Sequence, residues 1–177
     1  MLKFAKFCNS RSTKITPEEF YDNFAKDYDL TVNGAKVNAQ NTSEAVKLFH
    51  KHNPGISSNV LDIGCGTGLL RDFLGKEFEY TGIDVSGSML EYASQRGYKV
   101  MHKKVEDALP QISDLSYDFV FALSSLQFVR DISFCLSHIN RIARKSIVLS
   151  LDDLTEDFLH RSKMECYNYS QILGASQ

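Results

Sequence analysis

One run of nine residues, Val60-Leu61-Asp62-Ile63-Gly64-Cys65-Gly66-Thr67-Gly68, constrains this chain more than any other. Val60 to Ile63 is short and apolar, as a buried strand should be, and it feeds directly into three alternating glycines. Backbone without Cβ atoms can turn sharply and press against a ligand. A helical stretch, Leu69 to Leu74, follows at once, so the turn opens onto a helix N-terminus. Asp84 lies 20 residues beyond Gly64, at the end of the next apolar run, where a carboxylate can accept both hydroxyls of a ribose. The plainer alternatives are a tight turn for the glycines and a helix cap before Ser86 for Asp84.

The same rhythm continues along the chain. Tyr80 to Asp84 predicts a second strand, and Ser88 to Arg96 a helix that stops at Gly97. Tyr98 to His102 predicts a third strand and Tyr117 to Leu123 a fourth, nearly continuous in apolar character. Ile132, Leu136, Ile139 and Ala143 line a further helix, and Ser146 to Leu151 reads as a fifth strand. Strands alternating with helices imply βαβ units and a doubly wound, mostly parallel α/β sheet with flanking helices. In such sheets the ligand sits outside the carboxyl ends of the strands, near the switch point.

Upstream, Thr16-Pro17-Glu18-Glu19 is a helix start: Thr16 can cap, Pro17 fits the first helical position and Glu19 can complete a capping box. Phe20, Phe24 and Tyr28 then share one face, and Asn33-Gly34 marks a break. A second helix is expected from about Ser43 to His52, with Ala45, Leu48, Phe49 and His52 on its inner stripe and Asn53-Pro54-Gly55 as its stop. The expected organisation is an irregular arm over 1–15 and one domain over 16–177. That domain divides into a helical lid (16–55), an α/β core (56–151) and a helical tail (152–177).

Composition narrows the function. A length of 177 residues fits one domain, and 20 Lys plus Arg against 22 Asp plus Glu give a formal charge of −2. That removes the generalised polycation of avid non-specific nucleic-acid binding. No window of about 18 apolar residues occurs, since Ser124, Ser125 and Gln127 interrupt the most apolar stretch, Phe119 to Val129. Met1 to Ser12 has no apolar signal region. The expectation is a soluble, cytoplasmic domain with no membrane partner. Cys8, Cys65, Cys135 and Cys166 form no C-x-x-C pair and read as reduced structural thiols, with no metal site.

Val60 to Gly68 resembles the first motif of the class I S-adenosylmethionine-dependent methyltransferases almost letter for letter, and the likeness extends over roughly residues 17–151. A dinucleotide dehydrogenase would read GxGxxG, with its third glycine one position later. The resemblance implies a Rossmann-like fold, S-adenosyl-L-methionine as cofactor and a role for each matching residue. Gly64, Cys65, Gly66 and Gly68 would hold the methionine part, with Asp62 near its amino group. Asp84 would bind the ribose, and Val85 and Met89 would flank the adenine. The third motif, Val105-Glu106-Asp107-Ala108-Leu109-Pro110, leaves the adenine contact open between Glu106 and Asp107.

Tyr117 to Val120, followed by Ser124-Ser125-Leu126-Gln127-Phe128, resembles the fourth strand and loop of the small-molecule branch, where Ser124 would pass near the reacting methyl group. Phe20 to Asp29 resembles the "Y-x-x-x-A-x-x-Y-D" lid helix of ubiquinone-biosynthesis-type members, bringing Tyr21 and Tyr28 to the cofactor. The implied function is methyl transfer to a small-molecule acceptor. The alternative is a truncated or non-catalytic module that binds cofactor or a protein. No residue is assigned as catalytic: His102, His138, His160, Asp152 and Asp153 are candidates without a motif behind them. Only 26 residues follow Leu151, and they contain no sequence suited to the antiparallel hairpin that normally closes this fold. Strand five is therefore expected to be an apolar edge, covered by a tail helix over Asp157 to Tyr169 or by a second chain, as in a homodimer.

Overall fold

The computed structural model describes residues 15–30, 38–53 and 58–151. Helix α1 (Pro17–Tyr28) begins as its sequence dictates, with the Thr16 hydroxyl accepting the Glu19 N–H at 3.2 Å. Helix α2 (Ala39–His52) starts four residues before the expected Ser43. Its buried stripe is Thr42, Ala45, Val46 and Phe49, whereas Leu48 is 56% exposed and His52 is solvated. The expected stripe is therefore corrected by a rotation. Phe49 fixes the helix, because its ring sits 4.7 Å from Phe119 and 5.4 Å from Phe121.

The core elements follow in strict alternation: β1 (Asn59–Ile63), α3 (Leu70–Leu74), β2 (Glu79–Asp84), α4 (Gly87–Gln95) and β3 (Lys99–His102). After them come α5 (Val105–Ala108), a 3-10 turn (Leu109–Gln111), β4 (Tyr117–Leu123), a second turn (Leu126–Phe128), α6 (Ile132–Ile142) and β5 (Ala143–Ser150). The five strands form one sheet in the order β3-β2-β1-β4-β5, every pair parallel. The chain steps outward from β1 to β3 and then returns to β4 on the other side of β1. The switch point therefore falls between β1 and β4, directly above the glycine run.

Period-two alternation builds two cores from these strands. Leu61, Ile63, Ile83, Val120 and Ala122 face Ile132, Cys135, Ile139 and Ile142 of α6. Val60, Tyr80, Phe119 and Phe121 face Phe49, Leu70, Leu74, Leu90 and Ala93 on the opposite side. Each fully buried Val, Leu, Ile or Phe side chain among them contributes about 1.5–3 kcal/mol.

Two smaller expectations are also corrected. Ala143 opens β5 rather than closing α6, because it pairs with Tyr117 before a register shift that precedes Phe119. Tyr98 precedes β3 and packs into the core, stacked on Tyr80 at 4.9 Å. Ile147 and Leu149 of β5 are 37% and 43% exposed, and β5 is an outer strand among the described residues. The N-terminal arm, the Asn33-Gly34 break and the tail with its expected helix lie outside the described residues, as do Cys8 and Cys166. Cys65 and Cys135 are buried free thiols.

Candidate functional site

A cavity of about 280 Å³ opens at the carboxyl ends of β1, β2 and β4, roofed by α1 and α2. The glycine loop forms its floor. Gly64, Gly66 and Gly68 have φ of +67°, +51° and +80°, the left-handed region that suits a residue without Cβ. Their environments differ. A Cβ on Gly64 would lie 2.3 Å from the Ser125 Cβ, so the loop after β4 closes against that position. A Cβ on Gly66 would meet nothing within 4 Å and would project into open space, leaving a backbone cradle. A Cβ on Gly68 would strike Tyr98 at 2.9 Å and the Ala93 backbone at 3.1 Å. Gly68 does not line the cavity; it lets α4 approach the loop.

Two carboxylates flank this cradle. Asp84 Oδ2 accepts the Gly66 N–H at 2.8 Å and Oδ1 accepts the Ser86 N–H at 2.9 Å. Ser86, not Asp84, caps α4, its hydroxyl accepting the Met89 N–H at 3.1 Å. The Val85 backbone adds a third hydrogen bond to this carboxylate, and burial outweighs all three and pushes the carboxyl above its ordinary value. Asp62 lies deeper, and Tyr98 Oη donates to its Oδ2 at 2.9 Å. Burial, reinforced by the nearby Asp84 charge, pushes Asp62 up to about 7, against the pull of the Tyr98 hydrogen bond.

The roof is aromatic. Tyr21 and Tyr28 of α1 line the cavity with ring centroids 6.2 Å apart, and Tyr21 meets Phe128, from beyond β4, edge to face at 6.0 Å. Asn38 donates to the Tyr28 hydroxyl at 2.7 Å. The walls are Val85 and Met89 from the start of α4, Val105 and Glu106 of α5, and Leu123 to Ser125 at the end of β4. Ser124 adopts a left-handed φ of +53° there. Glu106 reaches across to accept the Arg130 N–H at 2.6 Å.

The fold thus brings Tyr21, Tyr28, Asp62, Gly64, Cys65, Gly66, Asp84, Val85, Met89, Glu106 and Ser124 to one cavity, and leaves two predicted residues off it. Gly68 is one, and Asp107, exposed on the outer side of α5, is the other. His102 ends β3 outside the cavity with Nε2 2.9 Å from the Val85 carbonyl, and His138 accepts from Arg141 on α6. His160, Asp152 and Asp153 lie outside the described residues.

Sequence reasoning missed the polar ties that hold the roof. Asp22 Oδ1 accepts the Ser86 hydroxyl at 2.6 Å and the Ser88 N–H at 3.0 Å. Asp29 accepts the Thr67 hydroxyl at 2.9 Å and Arg96 Nη2 at 2.7 Å, while Arg96 Nη1 donates to the Thr67 carbonyl. The one signal for them is the pair of aspartates seven residues apart around a small Ala25.

Comparison with known proteins places this geometry in context. Residues 61–150 match the family model described as a methyltransferase domain. A curated relative, the 18S rRNA (guanine-N(7))-methyltransferase RID2 of Arabidopsis thaliana, is 34% identical over 82 residues, covering 45% of this chain and 28% of that protein. The O-methyltransferase cnsE of Penicillium expansum is 32% identical over 112 residues, covering 59% of this chain and 41% of that protein. The matched segments thus span under half the length of either relative. Among solved structures, a SAM-dependent methyltransferase of Thermotoga maritima superposes with a TM-score of 0.66 at 19% identity, over 89% of this chain and 77% of that one.

Proposed function

We propose that this chain, which belongs to the methyltransferase domain family, binds S-adenosylmethionine in the cavity above β1 and β2 and transfers its methyl group to a small-molecule acceptor. The observation that carries the reading is the pairing of the open Gly66 cradle with Asp84 on one floor. A Cβ-free backbone and a carboxylate lining the same cavity suit a ligand with a polar chain at one end and a ribose next to it. The residues present therefore fit that cofactor, which when bound supplies a methyl group on a sulfonium.

The chain's own residues would divide the work simply. Asp84 accepts the ribose hydroxyls, worth roughly 1.5–3 kcal/mol per charge-assisted hydrogen bond. Gly64 and Gly66 let the backbone approach the methionine part, and Asp62 lies beneath it. Val85 and Met89 flank the adenine, with Glu106 preferred over Asp107 at its edge because Glu106 lines the cavity. Tyr21, Tyr28 and Phe128 exclude water above, and Ser124 stands at the end of β4. Holding donor and acceptor in line supplies most of the acceleration in such a transfer.

A small acceptor is supported by the roof, since α1 and the Tyr21–Phe128 contact cover the cavity. The printed names of the relatives point both ways, to rRNA for one and to O-methylation for the other. The formal charge of −2 does not separate these, because a local basic surface suffices for a structured RNA. Incubation with methyl-labelled cofactor, a panel of amines, phenols and carboxylates, and a structured rRNA fragment tests the reading. Label in a small molecule is expected; label in RNA alone would overturn the acceptor class.

No helix among the described residues is long and apolar enough to cross a membrane. A second copy pairing on the β5 edge remains our proposal, resting on the half-exposed Ile147 and Leu149. Light scattering on a sizing column tests it.

A further inference from the structure

We propose that Asp22 and Asp29 are positioning residues that latch the lid helix over the cofactor, so that cofactor release requires both the middle and the C-terminal end of α1 to detach. The inference rests on the reading of the cavity as an adenosylmethionine site and goes beyond it to how the site is kept closed.

The two carboxylates are seven residues apart, two helical turns, and so share one face of α1. Ala25 lies between them, 4% exposed, and its small side chain lets α1 settle close to the core. Each carboxylate holds a different wall of the cavity. Asp22 takes the hydroxyl of Ser86 and the N–H of Ser88, at the start of α4. The N–H of that same Ser86 holds Asp84 Oδ1, so lid, Ser86 and the proposed ribose carboxylate form one chain of hydrogen bonds. Asp29 takes the hydroxyl of Thr67, in the middle of the glycine loop, and Arg96, which also grips the Thr67 carbonyl and Asp72.

Ser86 and Thr67 are 0% and 1% exposed, so water cannot replace the lid oxygens without the lid lifting. The hydrogen bond from Ser86 holds Asp22 below the usual carboxylate range, so this end stays charged at neutral pH. Tyr28 rides between the two anchors and Tyr21 immediately precedes the first, and both line the cavity. The lid is thus tied to the two loops proposed to contact opposite ends of the ligand.

The test uses the full chain loaded with radiolabelled S-adenosylmethionine and chased with excess unlabelled cofactor. Asp22→Ala and Asp29→Ala should each raise the dissociation rate about tenfold or more, with the association rate within about twofold of the parent. Asp22→Asn keeps an oxygen that can accept both donors, so it should restore the slow rate to within about threefold. A role in folding alone would lower the melting temperature of the ligand-free protein and leave the dissociation rate unchanged. Folded alanine variants with the parental dissociation rate would overturn the latch, as would an Asp22→Asn variant as fast as Asp22→Ala. Should Asp22→Ala not fold, Asp29→Ala decides at the second anchor. A parent protein that retains no label would overturn the cofactor reading, and the latch with it.

Discussion

Gly64 and Gly66 stand two residues apart in one loop, yet replacement by alanine should damage them in different ways. At Gly64 the new methyl would sit 2.3 Å from Ser125 Cβ and 2.9 Å from its Oγ, at a φ of +67°. The left-handed backbone costs an alanine roughly 1–2 kcal/mol, and the collision adds about 1–3 kcal/mol, for a total of about 2–5 kcal/mol. Ser125 cannot retreat freely, because its hydroxyl donates to the Ile63 carbonyl at 2.8 Å. At Gly66 the methyl meets no atom within 4 Å, so only the backbone cost of roughly 1–2 kcal/mol remains. That methyl projects into the space proposed for the cofactor. Urea denaturation of the ligand-free proteins should therefore rank Gly64→Ala well below Gly66→Ala in stability, while calorimetry should show Gly66→Ala losing cofactor affinity about a hundredfold. In a Ser125→Gly background the Gly64→Ala loss should shrink to the backbone cost, a coupling readable from the double-mutant cycle. Equal stability losses at both glycines, or no relief from Ser125→Gly, would refute the reasoning.

Asp84→Ala should weaken cofactor binding at least about tenfold, since it removes the carboxylate proposed to accept the ribose hydroxyls; calorimetry on the folded variant checks this. Asp62 binds its proton up to about pH 7 when folded but only to about pH 4 when unfolded. Its contribution to stability is therefore largest below pH 4 and falls as pH rises toward 7, by at most about 4 kcal/mol. Asp62→Asn should flatten that slope in urea titrations between pH 5 and pH 8. Asp118 has the opposite sign. Hydrogen bonds from Ser58, Lys145 and Arg144 lower it to about 2, so its contribution is present above about pH 4 and lost as pH falls toward 2. Asp118→Asn should remove part of the acid sensitivity below pH 4, about 1–2 kcal/mol given the half-exposed cations.

Local pattern and non-local contact separate what the sequence made legible from what it did not. The glycine run, Asp84 and the five strands were readable because nine contiguous residues, or a period of two within a strand, carry the signal. The observed strands begin and end within one residue of expectation, except where the register shift beside Tyr117 lets β5 start at Ala143. Helix α2 misled because its first turn, Ala39-Gln40-Asn41, is polar, and Asn38 makes no side-chain cap bond. Its orientation is set by the distant rings of Phe119 and Phe121. Gly68 matched the motif as a ligand glycine, yet its φ and its closeness to Tyr98 and Ala93 make it a packing glycine. The latches joining Asp22 to Ser86 and Asp29 to Arg96 span 64 and 67 residues, separations that no local spacing rule reaches.

Thermal unfolding with added nucleotide ligands tests the central claim most directly. S-adenosylmethionine and S-adenosylhomocysteine at about 100 times their dissociation constants should each add roughly 2.7 kcal/mol to the stability of the folded chain and raise its melting temperature, whereas NAD should leave it unchanged. A shift with NAD and none with either sulfur nucleoside would contradict the account, since the Gly66 cradle and Asp84 would then hold a dinucleotide.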